Sequence, residues 1–289
     1  MGRVVVVGSM NTDHTVKVRH LPATGQTILG RGYAVALGGK GANQAVAAAR
    51  QGAQVVMVGC VGDDDSGGAL VRALADEGVD IGLVRCQAGL PTGRAHITVD
   101  ERGRNTIVVI PGANGGVVFP SAALEGADVV LAQLEVPLDV VAAALRAARQ
   151  AGVTTVLNPA PARALSDALL ADVDFLVPNE SEAEKLGEVL FEGTAIVTQG
   201  EHGALVLRPG SPDRHVPAVE VDVVDTTAAG DVFCGVLAAA LAGGATLPEA
   251  LRRASAGGAH ACTIAGAFPS IPTRADVDGL LTGGRLRSR

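Results

Sequence analysis

The chain has 289 residues, 48% of them hydrophobic, and a formal net charge of −7. That length supports a large buried core, and the negative balance argues against a nucleic-acid partner. With no Trp and a single Tyr, Tyr33, there is no material for a platform of stacked aromatics, so a nucleobase here would lie between aliphatic side chains.

The opening Met-Gly-Arg-Val-Val-Val-Val-Gly reads as a strand over Val4–Val7, apolar on both faces. Its apolar run is too short for a signal peptide, and no later segment approaches the ~20 apolar residues of a membrane span. Cys60, Cys86, Cys234 and Cys262 lack paired spacing. Metal and disulfide frameworks therefore fail, and buried thiols in a reducing cytoplasm are expected. The basic tail, Arg285, Arg287 and Arg289, reads as a frayed, solvated end.

From His14 to Val35 the pattern is short and extended, broken by Pro22, Gly25, Gly30 and Gly32. An Ala-rich helix follows over Ala42–Gln51 and Gly52 ends it. Val55–Val58 is the next buried strand and Gly67–Gly78 the next helix. Ala95–Val99 and Asn105–Ile110 flank Glu101-Arg102-Gly103, a hairpin signal. With the strands near 14–36, the segment 93–112 predicts a small sheet apart from the main one.

Beyond residue 121 strands and helices alternate. The strands are Val129–Gln133, Thr155–Asn158, Phe175–Pro178, Ala195–Thr198 and Ala204–Leu207. The helices are Val136–Gly152, Ala168–Ala171 and the stretch after Asn179. This predicts an α/β fold with a doubly wound, mostly parallel sheet flanked by helices and carrying a small β-sheet lid. Ligands of such sheets sit at the carboxyl ends of the strands.

Two glycine-containing stretches precede helix starts. One is Leu37-Gly38-Gly39-Lys40-Gly41-Ala42-Asn43-Gln44. The other is Asp225-Thr226-Thr227-Ala228-Ala229-Gly230-Asp231. Unpaired N–H groups at a helix start form an anion site. Asp231 there is either a cap or a carboxylate beside a phosphoryl group. The first stretch is not a Walker loop, because Gly41 follows Lys40.

These stretches, in this order, resemble the two signatures of the ribokinase family of carbohydrate kinases. Gly8-Ser9-Met10-Asn11-Thr12-Asp13, Gln133-Leu134-Glu135, Asn158-Pro159-Ala160-Pro161, Asn179-Glu180-Ser181-Glu182 and Thr198-Gln199-Gly200 extend the resemblance over nearly the whole chain. It implies one α/β domain over 1–289 with a lid. It also implies ATP-dependent phosphorylation of a small sugar, D-ribose at its terminal hydroxyl, in the cytoplasm. A kinase for another sugar or a nucleoside, and a catalytically silent sugar-binding regulator, are the alternatives. Retention of Asp231, Gly230 and Asn179 weighs against the regulator. A Rossmann dehydrogenase fails because no Gly-x-Gly-x-x-Gly follows the first strand.

The resemblance also implies roles. Asp231 is the base, with the N–H groups of Ala228, Ala229, Gly230 and Asp231 holding the developing charge. Asn11, Asp13, Lys40, Asn43 and Glu135 meet the sugar, with Gly39 and Gly41 giving backbone approach. Asn179 and Glu182 lie near Mg²⁺ and the phosphates, although a helix cap with its first-turn acid fits them equally well. Thr198, Gln199, Gly200 and Gly203 line the nucleotide, with Ser255 carried over by position. Asp225, Ser270 and the carbonyls of Thr227, Ala261, Ile264 and Gly266 match a monovalent-cation site for K⁺.

Two expectations remain. The lid strands near 95–110 are apolar on both faces, which predicts a homodimer through the lid. The segment between Asn179 and Thr198 is short for this family. Ser181–Phe191 is expected to supply one helix there, weakened by Gly187 in its middle and stopped by Gly193.

Overall fold

The computed structural model describes residues 1–187 and 191–283. Strand β1 (Arg3–Val7) leads to β2 (Asn11–Lys17), β3 (Gly32–Gly38), α1 (Lys40–Arg50), β4 (Gln54–Gly62), α2 (Asp65–Asp76), β5 (Asp80–Gln87), β6 (Gly93–Val99) and β7 (Asn105–Ile110). The chain continues through β8 (Val129–Ala132), α3 (Leu138–Gln150), β9 (Thr154–Leu157), α4 (Asp167–Leu170), β10 (Phe175–Leu176), α5 (Glu180–Leu186), β11 (Thr194–Thr198), β12 (Ala204–Leu207) and β13 (Arg214–Val216). It closes with α6 (Ala229–Ala242), α7 (Leu247–Ala261), α8 (Ala267–Ser270) and α9 (Arg274–Leu281).

The main sheet has the order β13-β12-β11-β10-β9-β8-β1-β4-β5. It is parallel from β5 to β11, and β12 and β13 run antiparallel at one edge. The central strands are apolar on both faces because helices cover both. Val4, Val6, Met57 and Leu131 enter one core with α1, α6 and α7. Val5, Val7, Val58 and Val130 enter another with α3 and α4. This is the expected mostly parallel, doubly covered sheet.

A second sheet, β3-β2-β6-β7, pairs β2 with β6 in parallel and is otherwise antiparallel. β5 and β13 carry no clear sequence signal. β5 is interrupted by Asp80, Gly82 and Arg85 and is half-exposed at the sheet edge. Cys86 on β5 is exposed, against the expectation of four buried thiols; Cys60 and Cys234 are buried.

The helix between β10 and β11 is shorter than expected. It spans Glu180–Leu186, and Gly187 caps it at φ 68 instead of sitting inside it. A glycine in the left-handed region ends a helix because no Cβ opposes that turn. Gly193 does not stop a helix. A Cβ there would stand 2.7 Å from Asp174 O, so it is small to let β11 approach Val173 and Asp174. Val189 and Leu190, counted toward this helix, lie outside the described residues, as does the arginine tail.

Candidate active site

The order of the main sheet switches between β1 and β8, where chain connections run outward in both directions. Ligands of open α/β sheets bind at such a crevice. Here Ser9 Oγ, just after β1, donates to Glu135 Oε2, just after β8, at 2.6 Å. Asn11 Nδ2 and the Lys40 N–H reach the same oxygen at 3.4 Å. Asn11 is held in turn: its Oδ1 accepts from Asn114 Nδ2 at 2.7 Å, and Asn114 Oδ1 accepts the Met10 N–H at 2.9 Å. Sequence reasoning missed Asn114. Its signal was a polar residue inside the turn Gly112–Gly116 that leaves the small sheet.

Asp231 lies buried in the first turn of α6. Its Oδ2 accepts from Asn43 Nδ2 at 2.9 Å and its Oδ1 from Gln44 Nε2 at 3.1 Å. Asn43 Oδ1 is buried and meets no donor among the described residues. Ala228 caps α6 at φ 61, the non-glycine residue with positive φ among those described, a conformation costing about 1–2 kcal/mol for an L-residue. The Ala229 N–H leans back to Thr226 O at 3.3 Å and the Val232 N–H is held by Ala228 O at 2.8 Å. The N–H groups of Ala228, Gly230 and Asp231 find no acceptor among the described residues. Gly230 faces open space.

These groups floor a cavity of about 210 Å³, walled by Lys40, Asn158, Asn179, Glu182 and Thr198. Its electrostatics are crowded. Burial, then Glu135 and Asp231, push the Asp13 carboxyl up to about 7 against the pull of Lys40. Burial disfavours charge on Lys40, but the carboxylates of Asp231, Glu135 and Glu182 outweigh it and hold its pKa above the ordinary lysine value.

Asn179 and Glu182 form a full capping box. Asn179 Oδ1 accepts the Glu182 N–H at 2.8 Å, and Glu182 Oε2 accepts the Asn179 N–H at 2.9 Å. Both still line the cavity, so the cap and a place in the site coexist.

Other expected residues fall elsewhere. Gly39, at φ 92, and Gly41 are pressed against backbone of the turn after β1; a Cβ on either would stand 2.6 Å from it. Their smallness serves that contact. A Cβ at Gly203 would stand 2.1 Å from Val216 O, so this glycine admits β13. Asn11, Asp13, Asn43 and Glu135 lie beside the cavity without lining it, and Gln199, Gly200 and Ser255 do not line it either; Gln199 Nε2 instead reaches Glu180 Oε1 at 3.4 Å.

Asp225 ties two loops together. Its Oδ1 accepts the Thr227 N–H at 2.9 Å and the Thr227 hydroxyl at 2.6 Å, and its Oδ2 accepts the Gly266 N–H at 2.8 Å. Burial opposes its ionisation, but these hydrogen bonds prevail and hold its pKa below the usual value. Ser270 Oγ is buried and donates to Ala267 O at 2.8 Å. Among the described residues no cluster of three His, Cys, Asp or Glu could hold a metal ion.

The family model for pfkB family carbohydrate kinases matches residues 1–274. A ribokinase of Haemophilus influenzae is 41% identical over 94% of this chain and 95% of its own length. A ribokinase of Bacillus subtilis is 38% identical over 98% and 100%. The solved structure of Arabidopsis thaliana ribokinase complexed with ribose and ATP superposes with a TM-score of 0.88, at 31% identity over 97% of this chain and 98% of that one. The chain belongs to the pfkB family of carbohydrate kinases.

The Asp13 geometry predicts a stability change. An unfolded Asp ionises near 3.8, so between that pH and about 7 the folded chain holds a proton that the unfolded chain has released. Stability from this group is therefore greatest below that window and falls as pH rises through it. Asp13→Asn should stabilise the sugar-free protein at about pH 8 by up to about 4 kcal/mol and give no advantage near about pH 4. Thermal melts of both proteins at the two pH values check this, and an Asp13→Asn protein melting lower at the higher pH would refute it.

Proposed function

We propose that this chain is an ATP-dependent kinase of D-ribose, transferring the γ-phosphoryl group to the terminal 5-hydroxyl to give ribose 5-phosphate and ADP. The observation that carries this reading is the Asp231 carboxylate, held by two amide donors at the start of α6 beside open N–H groups. Ribokinases spanning nearly the whole chain support the choice of sugar. The reading takes the chain as one α/β domain with β2, β3, β6 and β7 as its lid, working in the cytoplasm, where ATP is made available.

In this mechanism Asn11, Asp13, Lys40, Asn43 and Glu135 pair with the sugar hydroxyls. Asp231 takes the proton of the 5-hydroxyl as its oxygen bonds to the γ-phosphorus and the bond to the bridging oxygen of ADP breaks. The N–H groups of Ala228, Gly230 and Asp231, with the charged Lys40, stabilise the equatorial oxygens. Thr198, on the cavity wall, meets the nucleotide, with Gln199 and Gly200 in the turn behind it. Asn179 and Glu182 fit Mg²⁺ held through water, since Glu182 Oε1 takes no part in the capping box. That ion, when bound, would neutralise charge on the phosphates.

Asp231→Asn should keep sugar and ATP binding and lower turnover by at least ~10²-fold. A coupled assay of ADP release over D-ribose, 2-deoxyribose, fructose and adenosine tests both base and substrate. Near-normal turnover in the variant removes Asp231 from the role, and a preference for another acceptor removes ribose.

We further propose K⁺ as an activator. Its site is made of the Asp225 carboxylate, the Ser270 hydroxyl and the carbonyls of Thr227, Ala261, Ile264 and Gly266, a hard-oxygen donor set. Asp225 already binds the loop before α6 to that before α8, so a cation here would stiffen the approach to the open N–H groups. Desalted enzyme should turn over faster in K⁺ than in tetramethylammonium, and equal rates would sink the idea.

The third proposal is a homodimer through the lid. Every residue of β7 is exposed, Ile107 by 54% and Val108 by 63%, and Val35 and Tyr33 add to the apolar surface. An apolar edge strand of this kind invites pairing with a second copy. Light scattering at about micromolar concentration should give twice the chain mass; a monomer would count against the lid as an interface.

A further inference from the structure

We propose that Gln44 is a positioning residue for phosphoryl transfer: it holds the Asp231 carboxylate in the orientation from which it takes the substrate proton, and Gln133 and Asn158 hold Gln44. The proposal rests on Asp231 being the base.

Gln44 is fully buried. Its Nε2 donates to Asp231 Oδ1 at 3.1 Å and to Asn158 Oδ1 at 3.2 Å, while its Oε1 accepts from Gln133 Nε2 at 2.6 Å. Asn158 turns its Oδ1 toward Gln44 because its Nδ2 donates to Val177 O at 2.8 Å. The carbonyl just past β10 thus sets one amide and Gln133, just past β8, sets the other, so that Gln44 presents donors, not its oxygen, to the carboxylate. Asn43 takes the second carboxylate oxygen. Two neighbours on α1 therefore fix the plane of the group, and a base misplaced by a fraction of an ångström loses rate steeply.

The arrangement is a poor choice for stability alone. Gln133 Oε1 is buried and meets no donor among the described residues, which is costly. A Cβ at Gly8 would lie 1.9 Å from that oxygen, so the turn after β1 is shaped to leave it room. An apolar side chain would fill the same space without an unmet acceptor; what only the amide supplies is the bond that orients Gln44.

The test compares Gln44→Met, Gln133→Met and Asp231→Asn by kcat, ribose KM and melting temperature. Gln44→Met should lower kcat ~10- to 10²-fold with KM within about threefold. Gln133→Met should lower kcat by less, again with KM nearly unchanged and with an equal or higher melting temperature, and it decides the matter if Gln44→Met does not fold. Wild-type kcat in the Met variants, beside an inactive Asp231→Asn, would overturn the proposal. So would losses of kcat that follow melting temperature or come with an equal rise in KM. Near-normal turnover in Asp231→Asn would instead remove the base on which the proposal stands.

Discussion

The contact between α1 and the start of α6 is the constraint on which the site depends. A buried carboxylate needs donors, and Asp231 finds both of its own on α1, at Asn43 and Gln44. Those bonds form only if the two helices come very close. Gly235, one turn further along α6, allows it: a Cβ there would stand 2.5 Å from Gln44 O and 2.6 Å from Ala47 Cβ. The alanine content of α1 has the same origin, since Ala42, Ala45, Ala47 and Ala48 are all buried on this helix. Small side chains keep the interaxial distance short, and a short distance puts the amides on the carboxylate.

The same closeness concentrates charge. Asp13, Glu135 and Asp231 lie near Lys40, and burial, then repulsion from Glu135 and Asp231, raises the Asp13 pKa. Ala228 in the left-handed region and the unmet oxygens of Asn43 and Gln133 point the same way. Each costs stability. The cores on either face of the sheet, packed from Val, Leu and Ala, supply the stability that tolerates this.

Much of the architecture was legible in the sequence because its central strands are buried on both faces. Val4–Val7 and Val129–Ala132 are unbroken apolar runs, and that pattern has few other readings. Edge strands such as β5 and β13 give no such run, being half-exposed and interrupted by polar residues. The helix over Glu180–Leu186 shows another limit. Periodicity carried the expected helix through Gly187, whereas the chain there adopts a positive φ that ends it, and only the local backbone decides between those outcomes.

For the site, the residues at the ends of β1 and β8 and at the start of α6 were singled out by the family resemblance, because a polar residue after a strand or an acid at a helix start is by itself as consistent with a turn or a cap. Sequence could not say what each glycine is small for. Gly39 and Gly41 make room for the turn after β1, and Gly203 for β13, since close approach is a relation between distant segments. Nor could it assign partners to amides. Asn114 to Asn11, and Gln133 through Gln44 to Asp231, span 103, 89 and 187 positions. Local pattern determines which strands and helices form; which buried donor meets which buried acceptor is decided only when the sheet and its helices pack, because a hydrogen bond depends on distances of a few ångströms that sequence separation does not encode.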